Sequence, residues 1–261
     1  MIHVVSFSGG KDSTCMLLMM LEKGMQVDDI IFCDTGMEFP AMYEHIDKVE
    51  QYIGHKVTRL KNPKGFMYYL GQHIKTKGKH KSQMGYGWPD INVRWCTGNL
   101  KRDVANKYLR GKTVTEYHGI AYDEPKRITH NAKRNIQYPL YEWKITEAQA
   151  LDYCYSKGFD WDGLYKQFRR VSCWCCPLQS LKGLYALYLN FPELWQELMR
   201  MDSLAFNNFR ADYSLPQIEK RFKMQEKHDK FLEKLRFFLE GGQENETRIL
   251  RTPNHNGDDC E

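Results

Sequence analysis

The chain has 261 residues, a formal net charge of +5 and 42% hydrophobic residues. That is enough for one large α/β domain, or one such domain with a helical addition, since domains cluster near ~100–200 residues. No apolar run approaches the ~18 residues of a membrane span, and the opening "MIHVVSF" lacks the charged, apolar and small-residue sections of a secretory signal, so a cytoplasmic protein without membrane association is expected. Eight cysteines in a reducing compartment point to metal binding or redox chemistry rather than structural disulfides.

In chain order, "IHVVSF" is a short apolar run ended by a glycine turn, the pattern of a strand buried on both faces. Ser13 to Lys23 reads as a helix that stops at Gly24. "DDIIFCDTG" repeats the strand-then-turn pattern, Pro40 to Ile53 is the next helix and "HKVTRL" a third strand. From Lys61 to Ser82 there are six lysines and no carboxylate, as a basic loop beside a phosphate site would have. Asn99 to Leu109 reads as a helix, and its Lys101, Arg102 and Lys107, with Arg110 and Lys112 beyond it, as a solvated basic face. "TVTEYHGIA" is a fourth strand, "IQYPLYEW" a fifth short strand or a turn, and "TEAQALDYCYSKG" a helix.

Strands separated by helices imply right-handed crossovers and a five-stranded parallel sheet covered on both faces. From about Ser180 the pattern is nearly continuous helix, with aromatics such as Trp174, Tyr185, Tyr188 and Trp195 placed for packing. The expected organisation is a nucleotide-binding α/β domain over residues 1–179, a helical C-terminal region over 180–240 and a loosely held tail over 241–261. There is no internal repeat.

The turn "SFSGGKDS" carries the most specific signal. Ser8, Gly9, Gly10, Lys11, Asp12 and Ser13 lie where a buried strand becomes a helix, with Ser6 at the strand end. Glycines take positive φ and let a ligand approach the backbone, and a helix start presents unpaired N–H groups with partial positive charge. Hydroxyls and a lysine complete a phosphate cradle. An ordinary strand-to-helix turn would account for a glycine or two, not for the full string. The string is neither GxxxxGK[ST] nor GxGxxG.

It resembles the PP-loop, SGGxDS, of enzymes that cleave ATP between its α and β phosphates. "FCDTGMEFPAMYEHIDKVEQYIG", with Asp34, Thr35 and Gly36 ending the second strand, is similar to the corresponding segment of phosphoadenosine phosphosulfate (PAPS) reductases and ATP sulfurylase small subunits. "RWCTGNLKRDVANKYL", "GIAYDEPKR" and "YPLYEWKITEAQALDY" follow in that family's order. The resemblance covers roughly residues 2–180 and implies the adenine nucleotide alpha hydrolase fold, a Rossmann-like sheet with the nucleotide at the carboxyl ends of its strands. It also implies that Arg94, Lys101 and Arg127 stand near the substrate's anionic end, a role that suits guanidinium groups.

Two departures matter. Reductases of that family carry a degenerate loop, whereas the intact loop here argues for ATP with Mg²⁺ as the bound species, Lys11, Asp12 and Ser13 acting in catalysis. The reductases also end in a short cysteine motif flanked by glutamate, glycine and histidine. This chain has Cys260 between Asp259 and Glu261, and adjacent carboxylates raise rather than lower a thiol's pKa. Asp12 and Asp123 are candidate magnesium-facing carboxylates, with helix capping the alternative for Asp12. His118 and His130 show no ligand spacing.

Cys96 and "CWCCP", with Cys173, Cys175 and Cys176, form the second constellation. The C-x-x-C spacing suits thiolate capture of a metal, and the resemblance to iron–sulfur members of the family suggests a [4Fe–4S] cluster, with Zn²⁺ as the alternative; plain burial of the cysteines is the other reading.

Three functions therefore compete. The first is cleavage of ATP at the α-phosphate in sulfur-related chemistry, the second thiol-dependent reduction of a sulfonucleotide through Cys260, and the third sulfur modification of tRNA or DNA, with the lysine-rich segment holding phosphates. The sequence leaves open a nucleic-acid or sulfur-donor protein partner and a homo-oligomer.

Overall fold

The computed structural model describes residues 1–76, 81–128 and 134–239. Its centre is a five-stranded parallel sheet of β1 (Ile2–Ser6), β2 (Asp29–Asp34), β3 (Thr58–Lys61), β4 (Val114–His118) and β5 (Asn135–Gln137), in the order β3-β2-β1-β4-β5. β1 is the middle strand, paired on one side with β2 and on the other with β4, and Val4 and Val5 are buried. The chain runs outward from β1 through β2 to β3 and then crosses back to β4 on the other side of β1. That reversal makes a crevice at the carboxyl ends of β1 and β4, where open α/β sheets bind ligands.

Helix α1 (Lys11–Glu22) follows β1 directly and is buried along most of its length, including Cys15, Met16, Leu17, Leu18 and Met20. Helix α2 (Pro40–Ile53) starts with proline and ends at Gly54 in the left-handed conformation, as expected. Helix α3 (Gly65–Gly71) follows β3.

The helix expected over Asn99–Leu109 begins earlier, as α4 (Trp95–Thr97), and continues through a π-helical turn, Gly98–Arg102, into α5 (Asp103–Tyr108). π turns leave backbone carbonyls free for other donors, and here the Cys33 thiol reaches the Lys101 carbonyl at 3.5 Å. Between β5 and the helical C-terminal half lie α6 (Pro139–Glu142), α7 (Glu147–Ser156) and α8 (Leu164–Gln167). Thr146 and Gln149 close a reciprocal capping box on α7, which packs against α1.

Helices α9 (Leu181–Asn190), α10 (Pro192–Asp202) and α11 (Leu215–Leu239) follow. The chain divides into two compact units, Met1–Pro216 and Gln217–Glu261, the second described as far as residue 239. The tail that carries Cys260, together with Lys77, Lys79 and His130, lies outside the described residues. Among those described, no helix is long and apolar enough to cross a membrane.

Candidate active site

The turn Phe7–Gly10 joins β1 to α1 at the crevice. Gly9 has φ +75°, and a Cβ there would lie 2.6 Å from Met42 Sδ, so both conformation and space call for glycine. Gly10 is the N-cap of α1 and offers no side chain to cap it. Ser13 closes the turn instead. Its hydroxyl accepts the Ser8 N–H at 3.1 Å, donates to the Gly10 carbonyl at 3.0 Å and lies 3.0 Å from Ser8 Oγ. Ser6, half-buried, ends β1 just before this turn.

Two aromatic side chains from far along the chain clamp the turn. The Trp161 indole donates to the Gly9 carbonyl at 2.7 Å, and Tyr165 Oη accepts the Lys11 N–H at 2.8 Å. Trp161 and Asp162 both have φ 52°, a left-handed pair that costs about 1–2 kcal/mol per non-glycine residue. His45 stacks on Trp161 with ring centroids 4.2 Å apart and bonds Thr14 Oγ1 at 2.9 Å. Burial holds the His45 pKa down at about 3, so its ring is neutral. Opposite the turn, a Cβ on Gly119, just after β4, would fall 2.8 Å from the Ser13 backbone, so the crossover strand seats the start of α1.

The Lys11 ammonium lies 2.9 Å from Asp12 Oδ1 and 2.8 Å from Glu147 Oε1. Burial, the largest influence, pulls its pKa down, but Asp12 and Glu147 together outweigh it and leave Lys11 firmly charged. Burial raises the Asp12 pKa, and the neighbouring carboxylates Glu147 and Glu124 add to that rise. Asp12, Glu124 and Glu147 each bring a carboxylate oxygen within 4.8 Å of the other two.

Asp123, expected to face magnesium, accepts the Glu147 N–H at 3.0 Å. Glu124 and Glu147 are the carboxylates gathered with Asp12. Glu147 had a sequence signal, since the capping box puts it in the first turn of a helix; Glu124 lies within "GIAYDEPKR" with nothing local to mark it.

At the end of β2, Asp34 accepts bonds from the Gly36 N–H at 2.7 Å and the Tyr43 hydroxyl at 2.8 Å, and Gly36 has φ +75°. Thr35 is buried, with its hydroxyl donating to Glu38, itself buried. The "CWCCP" segment is joined to this loop: Glu38 and Cys173 form an antiparallel bridge, and the Trp174 N–H donates to the Met37 carbonyl at 3.0 Å. Cys173 Sγ lies 3.6 Å from Thr35 Oγ1 and 3.8 Å from Glu38 Oε1. Burial lifts the Cys173 thiol to about 12 and raises the Cys175 thiol well above its ordinary range as well.

Cys96 and Cys176 are close enough to act on each other electrostatically, as are Cys173, Cys175 and Cys176. Among the described residues, however, no three sulfurs lie within 4.8 Å of one another.

The three basic residues grouped by resemblance go to three places. Lys101 sits 3.7 Å from Glu38, Arg127 pairs with Glu124, and Arg94 lines a cleft of about 310 Å³ together with Glu124, Glu147 and Cys176. Arg169 and Arg170, which carry no motif, line the same cleft. Lys61 is held by Asp34 at 3.5 Å, and Lys64 and Lys75 lie over aromatic rings, so these three lysines are tied to their own surroundings.

Residues 2–179 match the phosphoadenosine phosphosulfate reductase domain family. An uncharacterised protein of Methanocaldococcus jannaschii is 27% identical over 214 residues, covering 74% of this chain and 40% of that protein. Sulfate adenylyltransferase subunit 2 of an Enterobacter species is 26% identical over 186 residues, covering 62% of this chain and 59% of that subunit. The chain thus spans between two fifths and three fifths of the length of these relatives. The crystal structure of the PAPS reductase of Candida auris, a phosphate complex, aligns with a TM-score of 0.47 at 18% identity, over 66% of this chain and 81% of that one. The turn after β1, the parallel sheet and the match over most of the chain agree: the protein belongs to the phosphoadenosine phosphosulfate reductase domain family.

Proposed function

We propose that this protein binds ATP at the start of α1 and cleaves it at the α-phosphate, passing the adenylyl group to an acceptor in sulfur-related chemistry and releasing pyrophosphate. The observation that carries this reading is the complete Ser8–Ser13 turn, with Gly9 in the left-handed conformation and a charged Lys11 beside it. A helix start with open N–H groups favours an anion, and the Lys11 ammonium supplies positive charge for phosphate oxygens, while the Ser8 and Ser13 hydroxyls hold the turn in shape. In a mostly buried setting such fixed charges stabilise developing negative charge without reorganising.

Asp12, Glu124 and Glu147 form an all-oxygen donor set, which fits Mg²⁺. When bound, Mg²⁺ supplies positive charge that offsets the phosphates. The chain's own part is to hold Asp12 and Glu147 against Lys11 and to keep the turn rigid through Trp161 and Tyr165. Asp34, Thr35 and Gly36, at the neighbouring strand end, would face the nucleoside. Thiols at Cys96, Cys173 and Cys176 are soft donors suited to iron–sulfur or zinc, but as arranged they do not close around an ion, and no step is assigned to one.

The test is anaerobic incubation with Mg²⁺ and ATP labelled at the α and γ phosphates. AMP and pyrophosphate should appear slowly and vanish in Lys11→Ala. Intact ATP, together with reduction of PAPS by a thiol donor and its loss in Cys260→Ser, would establish the reductase reading instead.

A further inference from the structure

We propose that the cleft lined by Arg94, Arg169 and Arg170 binds the phosphodiester backbone of a single-stranded nucleic acid, and so presents the acceptor to the nucleotide site. Location comes first. The same cleft is bounded by Glu124 and Glu147, two of the three carboxylates beside Lys11, and by Cys176 on the "CWCCP" segment. Whatever occupies it lies between the two constellations.

Charge comes second. Glu147 is neutralised by Lys11 and Glu124 by Arg127. Among the described residues, none of the three cleft arginines has a salt bridge or hydrogen-bonding partner for its guanidinium group, and all are exposed. Three free guanidinium groups facing two carboxylates that are already paired leave the cleft cationic. Arginine is the side chain suited to bidentate phosphate contacts. The start of α9, capped by Ser180, lines the same cleft and adds partial positive charge.

Size decides between a mononucleotide and a strand. Leu178, Gln179 and Ser180 also line a second, adjoining groove of about 710 Å³, bordered by Asp90 and Ile91 and by Asn207–Asp212. Ile91 and Leu178 are exposed, 76% and 48%, and give this groove an apolar wall. A cationic cleft beside a larger, partly apolar groove fits a backbone with its bases laid alongside.

This proposal rests on the ATP reading for the adjoining site, and the two fail separately. A fluorescein-labelled single-stranded oligonucleotide would be titrated by anisotropy at several salt concentrations. Wild type should bind with steep salt dependence. Arg169→Gln/Arg170→Gln and Arg94→Gln should each weaken binding about tenfold or more and flatten the log Kd against log salt slope by roughly one per arginine removed. These residues are exposed, so melting temperatures should hold, and Arg169→Lys/Arg170→Lys should recover part of the affinity.

Asp12→Asn, which leaves the Lys11–Glu147 pair in place and lies outside the cleft lining, should bind the oligonucleotide normally while losing ATP cleavage. Cleavage failing in wild type with arginine-dependent binding intact would sink the ATP reading alone. Absence of oligonucleotide binding, binding indifferent to the arginines, or arginine-dependent binding of adenosine bisphosphate but not of the oligonucleotide would overturn the proposal.

Discussion

The Trp161 indole N–H donates to the Gly9 carbonyl at 2.7 Å across 152 residues of chain. This bond fixes the one glycine of the turn whose φ is positive, and it is made by a residue that itself has φ 52°. Trp161→Phe keeps an aromatic packing partner for His45 but leaves the Gly9 carbonyl without its donor. An unmatched buried acceptor costs about 1–3 kcal/mol. For a chain of this size that lowers Tm by roughly 2–4 °C per kcal/mol. Nucleotide affinity measured by calorimetry should fall alongside, whereas unchanged affinity would mean that the clamp does not set the turn.

Gly119→Ala is expected to be more damaging than Gly36→Ala. A Cβ at Gly119 meets the Ser13 backbone at 2.8 Å, and backbone cannot step aside. At Gly36 nothing lies within 4 Å, so only the φ of +75° opposes the change, at about 1–2 kcal/mol. Chemical denaturation of both variants would rank them; equal losses would show that α1 is free to shift.

Stability should also depend on His45. Burial holds its pKa at about 3 in the folded protein, while the unfolded chain has the ordinary value of 6.5. Below 6.5 the unfolded state therefore takes up a proton that the folded state refuses. Stability falls as pH drops from 6.5 towards 3, by up to about 1.4 kcal/mol per pH unit. In His45→Phe that part of the slope should be missing, as urea denaturation between pH 4 and pH 7 would show; a slope equal to wild type would place the titration elsewhere.

The carboxylates beside Lys11 should separate by role. Glu124→Gln replaces one of the three gathered carboxylates by a neutral amide and should raise the Mg²⁺ needed for half-maximal ATP cleavage several-fold. Asp123→Asn keeps an acceptor for the Glu147 N–H and should leave that requirement close to wild type. The reverse order would return the magnesium role to Asp123.

Metal content tests the cysteines. If anaerobically purified protein holds iron or zinc, Cys96→Ala and Cys176→Ala should each reduce it, read by elemental analysis and visible absorption. Cys175→Ala should not, because that thiol is buried and burial holds it in the protonated form.

The succession of strands and helices in the first half, the start of α2 at Pro40 and the phosphate-type turn at Ser8–Ser13 were all determined locally. Each depends on a period of two or 3.6, a proline or a glycine acting within a few residues. The π turn at Gly98–Arg102 was not legible, because no residue type demands it and its carbonyl partner is Cys33, on another element. The site's remaining parts were decided only by tertiary structure. Glu147 meets Lys11 across 136 residues and Tyr165 across 154. Arg94 shares a cleft with Arg169 and Arg170, while Lys101 and Arg127, its partners by resemblance, turn to Glu38 and Glu124. Local patterning reports which face of an element is apolar, but it carries no information on which distant side chain the sheet's crossover will bring to the same crevice. That choice is made by the return of the chain from β3 to β4 and by the packing of α7 on α1.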